Sequence, residues 1–190
     1  MLVKFKNTQA YIKGYSEHLV KLLKIEIGRK RTRSYSSGTY NSPIDTTGEL
    51  RGSIEALQEI GEDGFSSQIM MNEYGKILND GRAKGSEPPH QDIVNWIKAK
   101  RIRIRDTKGK FVSASDYQMA KLANNIRRSI GAIGTKKIGF IDDAIEQSIE
   151  KLNKLGAAVG EDVMANLDDI LVKAGYIKKG EKYTLKDGGK

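Results

Sequence analysis

Cysteine is absent from the sequence, and histidine occurs only as His18 and His90. No disulfide framework or thiolate metal site can be built from such a chain, and a histidine-based metal site or nucleophile–base relay is poorly supplied. No apolar run approaches the roughly 20 residues that a membrane span needs. The opening MLVKFKNTQAYIKGYSEHL lacks the apolar core of a signal peptide, so the expectation is a soluble protein made in a cytoplasm. There is no Gly-x-x-x-x-Gly-Lys-Ser/Thr loop, which argues against phosphate handling by Thr47, Gly48 and Ser53. Glu49, Glu55, Glu59, Glu62 and Asp63 are scattered carboxylates without the spacing of an acid/base pair. Together these absences point away from catalysis: no enzyme, no catalytic residue, no cofactor, no metal and no small-molecule substrate is expected.

What the chain does have is charge. Its 190 residues suggest one domain, with a terminal arm appended. Hydrophobic residues make up 38% and charged residues 30%, which implies a thin core and much surface that is solvated or faces a partner. The net charge of +9 would attract polyanions such as DNA or acidic protein surfaces. The basic residues gather in two clusters. One holds Arg29, Lys30, Arg31 and Arg33; the other holds Lys98, Lys100, Arg101, Arg103, Arg105, Lys108 and Lys110. Ile141 to Ile170 is comparatively acidic. Such segregation fits head-to-tail subunit contacts as readily as nucleic-acid binding.

Apolar periodicity predicts a first helix from about Thr8 to Ile27, extending to residue 30 at most, with Thr8 as N-cap. The Ser/Gly/Tyr-rich stretch 34–41 reads as a loop. Ile54 to Ile60 and Phe65 to Met71 can pair as a hairpin around the Gly-Glu-Asp-Gly turn at 61–64, with Ile54, Ala56, Gln58 and Ile60 on one strand face. A short helix from about Glu73 to Asn79 ends at Gly81. Pro88 and Pro89 open another helix with an apolar stripe of Ile93, Trp96 and Ile97. RIRIRDTKGKFV then reads as a hairpin, Arg101, Arg103 and Arg105 on one face and Ile102 and Ile104 on the other. A helix from Ser115, its N-cap, to Ile130 should carry Tyr117, Leu122, Ile126 and Ile130 as apolar positions and be broken by Gly131 and Gly134. One last long helix is expected over 140–174, weakened at Gly156 and Gly160, before a frayed, flexible basic tail at 175–190.

Four short motifs follow one another in order: TGELRGSI (Thr47 to Ile54), YGKILNDGR (Tyr74 to Arg82), PPHQDIVNWIKAK (Pro88 to Lys100) and GAIGTKKIGFIDDAI (Gly131 to Ile145). In order and spacing they resemble the head–tail connector and tail-completion, or neck, family of tailed bacteriophages. Its members carry Thr-Gly-x-Leu-(Arg)-x-Ser-Ile, Tyr…Leu…Gly-Arg, Pro-Pro-x-x-x-Ile-x-x-Trp and Gly-Thr…Phe-(Leu/Ile) segments in that sequence. The positions that carry the likeness are Thr47, Gly48, Leu50, Gly81, Arg82, Pro88, Pro89 and Trp96, and it spans roughly Asp45 to Glu146.

The resemblance implies an α+β protomer spanning 1–174. It would have a long N-terminal helix, a mixed core at 45–146 with a small antiparallel sheet of hairpins and short helices, and a long C-terminal helix. It also implies a non-catalytic virion protein at the head–tail junction, assembled as a homo-oligomeric ring that joins capsid and tail, meets other neck or tail proteins and leaves a DNA passage. The hairpin at 101–112 and the extended C-terminus depart from the pattern. Read from the residues alone, Pro88, Pro89 and Trp96 are a helix entry and core anchor, and Gly81-Arg82 is a helix stop with a surface arginine. Asp142-Asp143 complements a helix dipole, and His90 is solvated. The basic clusters are candidates for subunit contact or for non-specific DNA contact. The alternative function is a sequence-independent DNA-binding protein using 98–110.

Overall fold

The computed structural model describes residues 5–186 apart from 36, 37, 43, 46, 62, 63, 106–108 and 114; of 33–35 and 38–42 it describes the backbone alone. The chain is α+β. Among the described residues there are seven helices, α1 (Lys6–Gly28), α2 (Glu49–Ser53), α3 (Tyr74–Asp80), α4 (His90–Ala99), α5 (Asp116–Ile133), α6 (Phe140–Leu152) and α7 (Leu155–Lys173). Among the described residues the strands pair as antiparallel hairpins: β1 (Arg31–Tyr35) with β2 (Gly38–Ser42), β3 (Glu55–Gly61) with β4 (Gly64–Met70), β5 (Ile104–Arg105) with β6 (Phe111–Val112), and β7 (Tyr176–Lys179) with β8 (Lys182–Leu185). Two compact units result. A terminal unit comprises Met1–Leu22, Ala56–Ile69 and Ile145–Lys190, and a central unit comprises Leu23–Glu55 and Met70–Ala144. No helix among the described residues is long and apolar enough to cross a membrane.

The central unit has an apolar interior. Leu23, Ile27, Leu50, Ile54, Phe140 and Ala144 are buried in it. So are Ile93, Ile97 and Ala123, where α4 packs on α5 and collects Val94, Ile102, Met119, Leu122, Ile126 and Ile130 around them. The short α2 is held by the buried Asp45, whose carboxylate accepts from Gly48 N (3.0 Å) and Arg51 N (3.1 Å). Those donors would otherwise be unpaired at a helix start. A capping box opens α5: Ser115 Oγ accepts from Gln118 N (3.3 Å), and Ser115 N donates to Gln118 Oε1 (3.0 Å).

The terminal unit is built the other way round. Among its described residues the buried ones are Thr8, Ser16, Ser148, Ala158 and Asp162, four of them polar. Asp162 of α7 accepts from Asn7 N (3.0 Å), Thr8 N (2.7 Å) and Thr8 Oγ (2.7 Å), and so caps α1 from more than 150 positions away in the chain. Burial pushes the Asp162 pKa up, but the hydrogen bonds from Thr8 and Asn7 together outweigh it and leave the pKa below the ordinary aspartate value. Tyr15 Oη meets Ser148 Oγ (2.9 Å), Ser16 Oγ meets Ser67 Oγ (2.6 Å), and the Tyr11 hydroxyl donates to the Lys151 carbonyl.

Several expectations need correction. Thr8 lies inside α1, not at its N-cap, because Asp162 supplies the cap. The described residues of the stretch 34–41 are strand, not loop: β1 pairs with β2 in register from Arg31↔Ser42 to Tyr35↔Gly38, helped by β-favouring Thr and Tyr residues. The helix expected over 140–174 is two helices. Asn153 and Lys154 break it where asparagine competes poorly for helix, and α7 restarts in the orientation that brings Asp162 to α1. Residues 176–185 of the expected frayed tail form a hairpin turning at Gly180 (φ +61°), closed by Lys186 N donating to the Gly175 carbonyl (2.8 Å). Ile60 does not share a covered strand face; it is 76% exposed. Tyr117 is also exposed, α5 burying Ala123 and its neighbours instead, and α5 runs through Gly131 to end at Gly134. The turn residues Glu62 and Asp63 and the extreme tail 187–190 lie outside the described residues.

Asp162→Asn should lower the melting temperature at neutral pH by weakening the cap on α1. The folded pKa is depressed, so the carboxylate contributes fully above about pH 4 and loses that contribution as pH falls through the lower folded value. The gap between variant and wild type in thermal melts should therefore close below about pH 4; a gap that is constant from pH 7 to 2 would contradict the capping role.

Candidate assembly surfaces

The second and fourth motifs meet directly in the central unit. Gly81 ends α3 and Gly134 ends α5, and the residues after them pair: Arg82 N donates to Thr135 O (3.0 Å), and Thr135 N donates to Arg82 O (2.9 Å). A Cβ on Gly81 would lie 2.6 Å from Thr135 O and 2.7 Å from Lys137 N, and one on Gly134 would lie 2.1 Å from Arg82 O. Both glycines also have φ between +70° and +80°, a left-handed region that costs other residues roughly 1–2 kcal/mol. Chain crossing and backbone conformation thus both demand glycine.

Beside the crossing, buried Asn79 accepts three backbone donors. Its Oδ1 takes Ile141 N (2.8 Å) in the first turn of α6, and its carbonyl takes Ile138 N and Gly139 N (both 3.1 Å). Asn79 carries no apolar or charge signal, and sequence reasoning missed it. The asparagine two residues before the Gly81 stop was the only hint. Arg82 itself is half-buried, with Nη2 donating to Ser86 Oγ (2.8 Å), so it is tied into this crossing more than a surface arginine would be.

The first motif is the α2 turn. Thr47 Oγ1 accepts from Glu49 N (3.4 Å), Gly48 precedes the helix, and Leu50 is fully buried. Gly75 of the second motif is buried beside it, where a Cβ would lie 2.9 Å from Leu50 Cδ1. In the third motif Pro89 is the residue before α4, as expected of a helix entry. Trp96 is not a core anchor: it is 43% exposed. At about 100° per residue, Ile93, Val94 and Ile97 define the face packed on α5, and Trp96 falls on its flank.

The basic clusters separate on inspection. Arg29 and Arg31 are engaged internally by the fully buried Glu26, at 2.9 Å and 2.7 Å, and Arg31 also reaches Asp143 at 2.6 Å. They pair with a carboxylate whose charge would otherwise lie uncompensated inside the unit. Lys30 is exposed; the side chain of Arg33 and all of Lys108 lie outside the described residues. Arg101 does not belong to the hairpin: it finishes α4 with φ +51° and donates to the Lys98 carbonyl (3.0 Å). Ile102 follows it into the α4–α5 core, which is why β5 starts only at Ile104. Lys98, Arg101, Arg103, Arg105 and Lys110 are nonetheless exposed, and Lys100 is partly so. The Arg105 guanidinium carbon lies 4.4 Å and that of Arg103 5.7 Å from the ring centre of Phe111, itself 54% exposed. Cation–π attraction of this kind holds the guanidinium groups while leaving their N–H donors for a partner.

The other exposed surface is apolar. Ile145, Ile149 and Leu152 recur on one side of α6, and Val163, Met164, Leu167 and Ile170 on one side of α7, all substantially solvent-exposed. No three His, Asp or Glu residues among the described ones are placed to hold a metal ion. Shifted pKa values fall on separate groups. Burial and then Lys151 and Lys21 lower the His18 pKa. Burial and then Asp45 and Glu49 raise that of Tyr74. The hydrogen bond to Asp142 raises that of Lys137.

Compared with protein-family models, curated proteins and solved structures, the chain finds no match in any of the three.

Gly81→Ala should destabilise the chain by about 3 kcal/mol or more, through the backbone clash and the left-handed φ together. Gly14→Ala, in mid-α1 with open space around it, should stabilise by roughly 0.5–1 kcal/mol. Urea titrations of both variants check this, and equal effects would refute the crossing argument. Asn79→Ala should cost about 1–2 kcal/mol and speed amide exchange at Ile141 selectively; unchanged exchange there would remove Asn79 as the cap of α6.

Proposed function

We propose that this chain is a structural virion protein of a tailed phage, which forms a ring at the head–tail junction, joins capsid to tail and leaves a passage for DNA. Its work in this reading is binding, not catalysis. Its neighbours are further copies of itself and other neck or tail proteins, and it acts in the virion after synthesis in the host cytoplasm. The four ordered motifs supply the family likeness, and all of them fall within or at the edge of the central unit, two of them in direct contact. The observation that carries the assembly half is the inverted polarity of the terminal unit. Of its five buried described residues four, Thr8, Ser16, Ser148 and Asp162, are polar and only Ala158 is apolar, while large aliphatic side chains of α6 and α7 face solvent. Each intramolecular hydrogen bond nets only about 1 kcal/mol, so such an interior contributes little against chain entropy. Soluble monomers rarely leave contiguous apolar faces open. A protomer of this kind gains when neighbours cover it.

Arg103 and Arg105 over Phe111 favour the second reading, sequence-independent DNA binding by the basic segment 98–110. The readings separate by experiment. Negative-stain microscopy and light scattering of the purified chain, alone and with its connector and tail-tube neighbours, should reveal closed rings. Duplex DNA should bind weakly, with a shallow salt dependence. A strict monomer that engages neither neighbour, yet binds DNA with a steep salt slope, would overturn the ring reading in favour of the alternative.

A further inference from the structure

Ile141 to Ile170 carries eight carboxylates and two lysines, a net of −6 inside a chain of net +9, which leaves +15 on the remaining residues. That segment is α6 with most of α7, the same helices that expose aliphatic residues. Charge and apolar exposure are arranged together on them. At about 100° per residue, Ile145, Ile149 and Leu152 fall on one line of α6, with Glu146 along one border and Glu150 further round on the same side. On α7, Val163, Leu167 and Ile170 form a second line with Met164 beside it. Glu146, Glu150 and Glu161 are exposed and hold no ion pair among the described residues. Gly156 and Gly160 continue the α7 line, and nothing lies within 4 Å of where their Cβ atoms would be, so another backbone could come close there.

A surface of complementary chemistry exists on the same chain. At hairpin β5–β6 two guanidinium groups lie near one exposed aromatic ring, and neither arginine has a carboxylate partner among the described residues. We propose that the aliphatic faces of α6 and α7 in one copy, with Glu146 and Glu150 at the edge of the α6 face, receive Arg103, Arg105 and Phe111 of the next copy. The proposal rests on the ring reading above and names its contact. DNA phosphates would satisfy the two arginines but would leave Phe111 and the aliphatic lines uncovered. A second copy satisfies all three, with guanidinium–carboxylate pairs at the border and apolar contact at the centre, as in a typical interface. Because the two surfaces differ, the contact is heterologous; repeated by rotation, it closes into a ring.

Charge reversal tests this on the full chain, using exposed positions that the fold does not need. R103E/R105E and E146K/E150K should each retain the wild-type circular dichroism and thermal melt, and each should lower self-association in sedimentation velocity at least about tenfold, since like charges now meet. An equimolar mixture of the two variants should recover assembly, with the species alternating, because each altered surface then finds its opposite. Rings that persist in either variant alone, or a mixture that fails to recover, would overturn this contact while leaving the ring reading intact. A wild-type chain that stays monomeric with and without its neck partners sinks both. Loss of duplex-DNA binding in R103E/R105E, with no assembly effect from E146K/E150K, would assign the hairpin to DNA instead.

Discussion

Two glycines that allow two backbones to cross fix the central unit. Gly81 and Gly134 end α3 and α5, and the paired N–H···O bonds between Arg82 and Thr135 fasten those helix ends together. Everything nearby follows from that crossing. The chain after Thr135 is carried past Asn79, whose carbonyl and side chain collect the donors of Ile138, Gly139 and Ile141 and so set where α6 begins. Phe140 is thereby fully buried. On the other side, α5 is fixed at its C-terminal end and capped at Ser115, which holds Ala123 and its neighbours against Ile93 and Ile97 of α4. A methyl group at either glycine would strike a main-chain atom, which cannot swing aside as a flexible side chain can.

Much of this was legible in the sequence, for a physical reason. Helices that bury an aliphatic face leave a 3.6-residue period, and hairpins with glycine turns leave punctuation, so α1, α3, α4, α5 and the β3–β4 hairpin were found close to their observed bounds. What failed did so where the stabilising partner is distant in sequence or polar. No local pattern could announce that Asp162 caps α1, and the nearest candidate, Thr8, was given the role instead. Hairpins β1–β2 and β7–β8 escaped because neither carries the apolar alternation that a covered sheet face produces, although the Lys-Gly-Glu-Lys turn at 179–182 was a usable signal. Arg29 and Arg31 counted as surface cations because nothing in their spacing reveals that Glu26, on the preceding turn of α1, is buried. Trp96 shows the opposite failure: a large ring at helical spacing was assigned to the core, when Val94 took that side of the helix.

The terminal unit exposes a deeper limit of periodicity. A regular aliphatic line shows that a helix has a face; it does not show what covers it. Ile145, Ile149 and Leu152 have the spacing of core residues and are open to solvent, while Ser148, among them in sequence, is buried and bonded to Tyr15. Polar side chains hold α1, β4, α6 and α7 together through specific hydrogen bonds, which define geometry well but contribute little net free energy. The large aliphatic side chains of α6 and α7, which usually supply the driving force, remain open to solvent.

That division also bears on how the positive charge should be understood. Were DNA the principal partner, basic residues spread along one groove would suffice, and neither exposed aliphatic residues nor an acidic segment of net −6 would help; the acid would repel the ligand. In this chain cations and carboxylates are segregated, and each set lies beside exposed apolar groups: Phe111 with Arg103 and Arg105, and the α6 line with Glu146 and Glu150. Opposite charge at the border of an apolar contact speeds encounter and fixes orientation, and the apolar centre supplies most of the affinity. Both ingredients are present, in matching form, on two different surfaces of one polypeptide. A head-to-tail contact between copies uses all of them at once, whereas a polyanion uses only the arginines.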